Sequence, residues 1–311
     1  MLPLSQIAAR VRRRWQHARF ERVARGVLET PPLVSDAPIA TIVSMVSHQD
    51  VAAYLCAIKS LRRFVPARVV VLDDGTLTAA DGATLTAHLG DVQIRRFSSV
   101  PTGRCQRGGC WERLCLIAEL CADGYVMQMD SDTVTLHDPR EVRDAIAAGR
   151  AFTLSGDFPT SPILTLEETA AGAHADPSPH MQRVAERALP RIGTATRTHF
   201  VRGCAAFAGF PQGCTSLAEV EAIDLAMRAE LGDRWSEWGS EQVASNLVLA
   251  NVPGAMVLPV PAYASYFPDG LAADAHVTAT FLHFLGSHRY DRGAYQAAVG
   301  TLIHALRSGG R

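Results

Sequence analysis

Three side chains carry the clearest chemistry in this chain. Asp130 and Asp132 stand one residue apart in Asp130-Ser131-Asp132, and His283 lies far downstream in Phe281-Leu282-His283-Phe284-Leu285-Gly286-Ser287-His288-Arg289. The acidic pair ends an apolar run, YVMQM (125–129), of the kind that forms a buried strand. Two carboxylates cannot be buried there unpaired without a prohibitive desolvation cost, so they need a cation or a dense set of donors. Spaced in this way at a strand end, they can offer oxygens to one hard divalent ion and leave positions for substrate phosphates. A neutral imidazole is an acceptable third ligand for Mn²⁺ or a similar ion. Gly286 would let the backbone approach a phosphate, and His288 and Arg289 would bring charge to it. Each piece also has an ordinary reading. The aspartates could cap a turn at 133–136 or the helix at Pro139, and a histidine between apolar residues is equally at home as a satisfied core group.

Placing these residues requires an alternation of strands and helices. TIVSMVS (41–47), ARVVVLDDG (67–75) and DVQIRRF (91–97) read as strands, and 51–64, 78–89 and 110–122 as helices. A Gly-rich loop, PTGRCQRGG (101–109), precedes the third of these helices. The pattern predicts an α/β fold with a mostly parallel sheet covered on both faces. Ligands in such sheets bind beyond the carboxyl ends of the strands, where Ser47-His48, Asp73-Asp74 and Asp130 would gather. Asp73-Asp74-Gly75 is also an ordinary turn sequence. After Asp157 the periodicity fades, and 157–200 reads as loop-rich with a helix near 179–189. Helices at 216–231 and 239–250, a strand at 255–260 and a closing helix at 292–307 follow. Trp238-Gly239-Ser240-Glu241 reads as a capping sequence for the second of these, with Ser240 as the cap.

The first thirty residues hold seven arginines against Glu21 and Glu29, a local balance of 7 − 2 = +5. Ile7, Val11, Trp15, Ala18, Arg22 and Val23 fall near helical spacing, giving a basic amphipathic helix that Thr30-Pro31-Pro32 ends. Such a helix could dock on an anionic membrane surface or pack against its own domain. The expected organisation is this helix and a linker over 1–35, then one catalytic domain over 36–311. A donor half would span about 39–150, and an acceptor half with the late metal and phosphate segment about 151–311.

Composition narrows the classes. The 311 residues carry 30 Lys+Arg against 31 Asp+Glu, a net charge of −1, without the basic excess of a nucleic-acid binder. No apolar run is long enough to cross a bilayer, and MLPLSQIAARVRRRWQ lacks the features of a secretory leader. The seven cysteines include 105, 110, 115 and 121, whose spacings of 5, 5 and 6 turn each thiol away from the last on a helix. Free thiols in a reducing cytoplasm are therefore expected rather than a structural zinc site. The expected location is cytoplasmic, with peripheral contact at the inner membrane face if the helix docks.

Taken together, Asp130-Ser131-Asp132 and His283-Phe284-Leu285-Gly286-Ser287-His288-Arg289 resemble the GT-A glycosyltransferases, and most closely family 8 with its bacterial lipopolysaccharide relatives. In that family the D-x-D carboxylates and a late H-F-x-G-x-x-K histidine bind Mn²⁺, which holds the nucleotide-sugar diphosphate. Arg289 stands where that lysine would be, keeping the charge and changing its shape. Glu112-Arg113-Leu114 resembles the family's A-R-L, whose arginine reaches the donor sugar. Glu241-Gln242-Val243-Ala244-Ser245-Asn246 resembles its D-Q-D-x-x-N, and Phe200-Val201-Arg202-Gly203 resembles F-N-x-G with valine in place of asparagine. The likeness runs through about 41–290 in order.

It implies a GT-A fold (Rossmann-like), Mn²⁺ or Mg²⁺ on Asp130, Asp132 and His283, and a UDP-sugar donor. Ser47, His48 and Asp74 would meet base and ribose. Arg113, Ser131, Gly286, His288 and Arg289 would contact the donor, and Glu241 and Gln242 would flank the reacting sugar. The acceptor would be a carbohydrate or lipid-linked. The competing classes are a sugar nucleotidyltransferase and a non-catalytic nucleotide-sugar binder. The first wants a Gly-rich loop after strand one, where this chain has SMVSHQD.

Overall fold

A computed structural model describes residues 4–35, 37–157, 160–192, 197–272 and 274–309. The expected boundary at residue 36, the side chains of Ile7 and Arg10, and residues 158–159 and 193–196 of the loop-rich segment lie outside the described residues.

The first half runs α1 (Leu4–Ala24), β1 (Ala40–Val46), α2 (Val51–Arg62), β2 (Ala67–Asp73), α3 (Ala79–Leu89), β3 (Val92–Arg96), α4 (Trp111–Leu120), β4 (Val126–Met129) and β5 (Thr133–Thr135). It continues with α5 (Arg140–Ala147), β6 (Phe152–Ser155), β7 (Ile163–Thr165), α6 (Leu166–Ala175), α7 (Met181–Ala188), β8 (His199–Val201) and β9 (Gly203–Phe210). Then come α8 (Leu217–Leu231), α9 (Ser240–Ala250), β10 (Met256–Val257), β11 (Tyr263–Ser265), α10 (Ala275–Thr278), β12 (Phe281–His283) and α11 (Ala294–Arg307).

The main sheet is ordered β10-β6-β9-β4-β1-β2-β3. Its pairs are parallel except where β9 lies antiparallel between β4 and β6. Both faces are covered over the inner strands, which is why those read as largely apolar runs, whereas the edge strand β3 (VQIRR) is mostly exposed. Ile42, Val69, Val71 and Met127 enter one core cluster, while Val43, Val70, Leu72 and Val126 enter the other. Adjacent residues of one strand thus serve opposite layers, as the pleat requires.

A second sheet, β11-β12-β5, brings the site together. Across its antiparallel β5–β12 pair His283 faces Thr133 and Leu282 faces Val134, and the Phe284 amide donates to the Asp132 carbonyl at 2.8 Å. Phe281 stacks on Phe207 of β9 with ring centroids 4.3 Å apart, fixing this small sheet to the main one.

Three expectations need correction. The segment 157–200 is more regular than its weak periodicity suggested, for β7 pairs antiparallel with β8 around α6 and α7. Thr165 and Glu168 form a reciprocal capping box at the start of α6. The N-cap of α9 is Gly239, at φ 102°, not Ser240. The Ser240 hydroxyl instead accepts from the Trp111 indole N–H at 3.0 Å. The strand expected over 255–260 shrinks to β10, because Pro259 and Pro261 bracket its end.

Candidate active site

Asp130 and Asp132 follow β4, and His283 ends β12 beside them. One ligand atom from each of the three lies within 4.8 Å of the others. His283 Nε2 is 3.5 Å from Asp132 Oδ1. Its Nδ1 lies 3.1 Å from the Ser265 hydroxyl and 3.5 Å from Cys204 Sγ, partners that fix the ring and leave Nε2 facing the carboxylates.

Two arginines complete the charge balance. Arg289 reaches back from the segment after β12, its Nη2 on Asp132 and its Nε donating to the Phe284 carbonyl at 3.2 Å. Arg113, in the first turn of α4, donates from Nη1 to Asp130 at 2.7 Å and from Nη2 to Glu241 at 3.3 Å. Glu241 comes from the first turn of α9 and is buried, with its second oxygen lacking a hydrogen-bond partner.

These surroundings shift the acids in opposite directions. Burial raises Asp130 above the usual carboxylate range despite Arg113. Burial pushes Asp132 the same way, but His283 and Arg289 outweigh it and hold that acid below its usual range. Burial also raises Glu241 against the pull of Arg113. For His283, burial works against the charged form, and Asp132 with Cys204 overcomes it, so the imidazole titrates well above its usual value.

The site opens into a cleft of about 800 Å³ lined by Asp130, Asp132, His283, Glu241, Gln242 and Arg289, among others. Gly286 and Arg113 also line it. Gln242 accepts from the Ala205 amide at 3.2 Å, and Asn246, one turn on, donates to the Gly203 carbonyl at 2.9 Å. Both amides of α9 thereby hold the first residues of β9. Gly203 is required by close approach, for a Cβ there would lie 2.3 Å from Thr153 Oγ1 and 2.7 Å from Asn246 Oδ1. The rim includes Cys110 at φ 75°, a left-handed backbone costly for a non-glycine residue. The Gly-rich loop before it is held by the Glu112 carboxylate, which accepts from the Gly108 amide at 3.0 Å.

The remaining expected donor contacts are engaged elsewhere. Ser47 donates to Asp50 at 2.6 Å, and the His48 ring pairs with Asp81 at 2.7 Å. Asp73 and Asp74 accept from the amides of Gly75 and Thr76, which is the ordinary turn reading of that sequence. His288 turns to Asp291 at 3.0 Å. The Ser131 carbonyl accepts from the Tyr295 hydroxyl at 3.3 Å. Sequence reasoning missed Cys204, Ser265, Arg183 and Arg202. Cys204 and Ser265 orient His283, while Arg183 and Arg202 stand on the cleft wall paired with Glu186. Only the Phe200-Val201-Arg202-Gly203 segment gave a signal near any of them.

No protein-family model and no curated protein sequence matches the chain. Solved structures do. The apo structure of WbbM, a bifunctional glycosyltransferase, matches 88% of this chain with a TM-score of 0.53 and 15% sequence identity. This chain spans 52% of the WbbM structure's length, about half. The galactosyltransferase LgtC, solved with donor and acceptor sugar analogues, matches 85% of this chain and 95% of its own, with a TM-score of 0.43 and 15% identity. Mouse xyloside xylosyltransferase 1, in its apo form, matches 78% of this chain and 97% of its own, with a TM-score of 0.44 and 10% identity. The central sheet, mostly parallel with helices on both faces, and the WbbM likeness agree: this chain has the GT-A fold.

Proposed function

We propose that the protein is a metal-dependent glycosyltransferase that moves a sugar from a UDP-sugar to a carbohydrate or lipid-linked acceptor. The observation that carries this reading is the convergence of Asp130, Asp132 and His283 within 4.8 Å at the floor of the cleft. Two hard oxygen donors and one imidazole are the donor set that suits Mn²⁺, with Mg²⁺ the alternative. Asp130, Asp132 and His283 are the residues that would hold the ion. Arg113 and Arg289 now neutralise the same carboxylates and would have to yield part of that role. When bound, the ion would stabilise the charge that develops on the diphosphate as the glycosidic C–O bond breaks.

The protein's own groups would do the rest. Arg289, at the cleft edge, would swing from Asp132 toward the leaving diphosphate and add positive charge there. Glu241 and Gln242 line the face where the donor sugar would lie, and Arg113 holds Glu241 in place. The acceptor hydroxyl attacks the anomeric carbon, the bonding pair leaves with the diphosphate, and the hydroxyl proton passes to a base. Glu241, whose burial raises its proton affinity, is suited to accept that proton or to position sugar hydroxyls.

The test is a panel of nucleotide sugars incubated with the protein and Mn²⁺, reading thermal stabilisation and slow release of the nucleoside diphosphate. Stabilisation by a UDP-sugar that EDTA removes supports the reading. Equal stabilisation with EDTA removes the metal from it, and no response to any nucleotide sugar rejects it.

A further inference from the structure

Helix α1 has two unlike faces. On its inner side Phe20 and Ala24 are buried, with Phe20 stacked on Tyr295 at a centroid distance of 4.1 Å and His17 against Tyr290 at 5.3 Å. About 180° around the helix, Val11, Trp15 and Ala18 form a stripe about 60° wide. This stripe is open to solvent, with Val11 62% and Trp15 59% exposed. Exposed Arg12 and Arg19 flank it on one side and Arg14 on the other, with Arg22 in line with it. Arg19 lies over the Trp15 ring at 4.7 Å. Two exposed apolar side chains, one a large aromatic, bordered by arginines form a cationic patch whose attraction to an anionic headgroup layer is mainly electrostatic, with the guanidinium stems free to snorkel outward. The local excess of +5 on a chain of net charge −1 selects anionic headgroups. Among the described residues no helix is long and apolar enough to cross a membrane, so the helix would lie on the surface.

The inner face leads to the candidate site. Arg13 donates to the Gly286 carbonyl at 3.2 Å, in the segment that carries Arg289 to Asp132. Tyr295, stacked between Phe20 and Phe284, donates its hydroxyl to the Ser131 carbonyl between the two aspartates. A helix held on a bilayer would keep these inner contacts made for more of the time. We propose that α1 docks on an anionic membrane surface through Val11, Trp15 and their flanking arginines, and that docking steadies the 284–290 segment through Arg13. The docking does not rest on the transferase reading.

Sedimentation of the full chain with phosphatidylcholine vesicles, with and without one third phosphatidylglycerol, tests the surface. Binding should need phosphatidylglycerol, weaken with salt, and fall at least tenfold in Trp15→Ala and in Arg12→Gln/Arg14→Gln/Arg19→Gln. Absence of binding, equal binding to neutral vesicles, or binding unchanged in both variants overturns the docking. So would a concentration-dependent dimer, abolished by Trp15→Ala, that removes vesicle binding as it forms. Hydrogen exchange of 284–290 reads the coupling without donor or metal. It should slow severalfold on the anionic vesicles, and Arg13→Gln should cancel that slowing while leaving sedimentation intact. Slowing that is absent, or unchanged in Arg13→Gln, overturns the coupling.

Discussion

The imidazole of His283 lies 3.5 Å from the Asp132 carboxylate across the β5–β12 pair, although the chain between them builds most of the second half of the fold. Only a tertiary arrangement holds them there, so they can be tested as one unit. Asp132→Asn keeps the shape and removes the charge. If UDP with Mn²⁺ raises the melting temperature, as the proposed function requires, this variant should abolish that rise. Losing a direct ligand should weaken metal-dependent UDP binding by at least about 10–100-fold, the usual cost of losing even an outer-shell partner. Titration calorimetry with UDP at fixed Mn²⁺ checks this, and unchanged affinity would remove the carboxylate from the metal centre.

Glu241 points into the same cleft but does not belong to the Asp130, Asp132 and His283 cluster. Glu241→Gln preserves the acceptor that faces Arg113 while removing the negative charge. Transfer, or slow hydrolysis of the donor, should fall by about 10²–10³-fold, the range found on removing one well-placed polar group. The UDP shift with Mn²⁺ should stay close to wild type. A lost shift together with lost activity would assign Glu241 to holding Arg113 and the donor pocket instead.

Arg113 answers a different question, because its guanidinium serves two carboxylates from different elements. A lysine carries the same charge on one nitrogen and cannot span Asp130 and Glu241 with the same fork. Arg113→Lys should therefore lose one of the two contacts, to buried Glu241 or to the one-third-exposed Asp130, and destabilise the fold by about 1–3 kcal/mol. Urea unfolding followed by circular dichroism measures this. A loss below about 1 kcal/mol would mean that water or a neighbouring group takes over the second contact.

The parts of this arrangement that were legible in the sequence are those written by local pattern. The apolar run into Asp130 marked β4, and alternating runs and helices marked the parallel sheet. The antiparallel β9 was not legible, because GCAAFAGF is as apolar as its parallel neighbours and direction leaves no trace in periodicity. Asp130, Asp132 and His283 were visible as residue types, but their convergence depends on a three-residue pairing of β5 with β12 that no local signal specifies. Ser240 shows the limit of capping rules, since its hydroxyl was claimed by Trp111 and a glycine at positive φ began the helix. Cys204 and Ser265, which orient His283 from two other strands, carried no motif.

The only lysine in the sequence, Lys59, is fully buried on α2. Its ammonium donates to Thr30 Oγ1 and the Pro31 carbonyl, each at 2.8 Å, and lies 2.9 Å from His88 Nδ1. It thereby ties the end of the N-terminal segment to α2 and α3. Replacement by methionine fills similar space and strands these acceptors, so Lys59→Met should destabilise by about 1–3 kcal/mol at pH 7. Burial also lowers the pKa of this amine from 10.5 to about 8. Between those values the unfolded chain binds more protons than the folded one, so this group's contribution to stability rises with pH across that window. Below about pH 8 both states are charged and the contribution is flat. Buried tyrosines and cysteines, with Tyr54 and Cys56 beside this helix turn, titrate above their usual values and pull the total the other way. The wild-type minus Lys59→Met difference in unfolding free energy isolates the lysine, and it should widen from pH 8 to pH 10. A difference that narrows over that range would mean that the three acceptors keep the amine charged and its pKa undepressed.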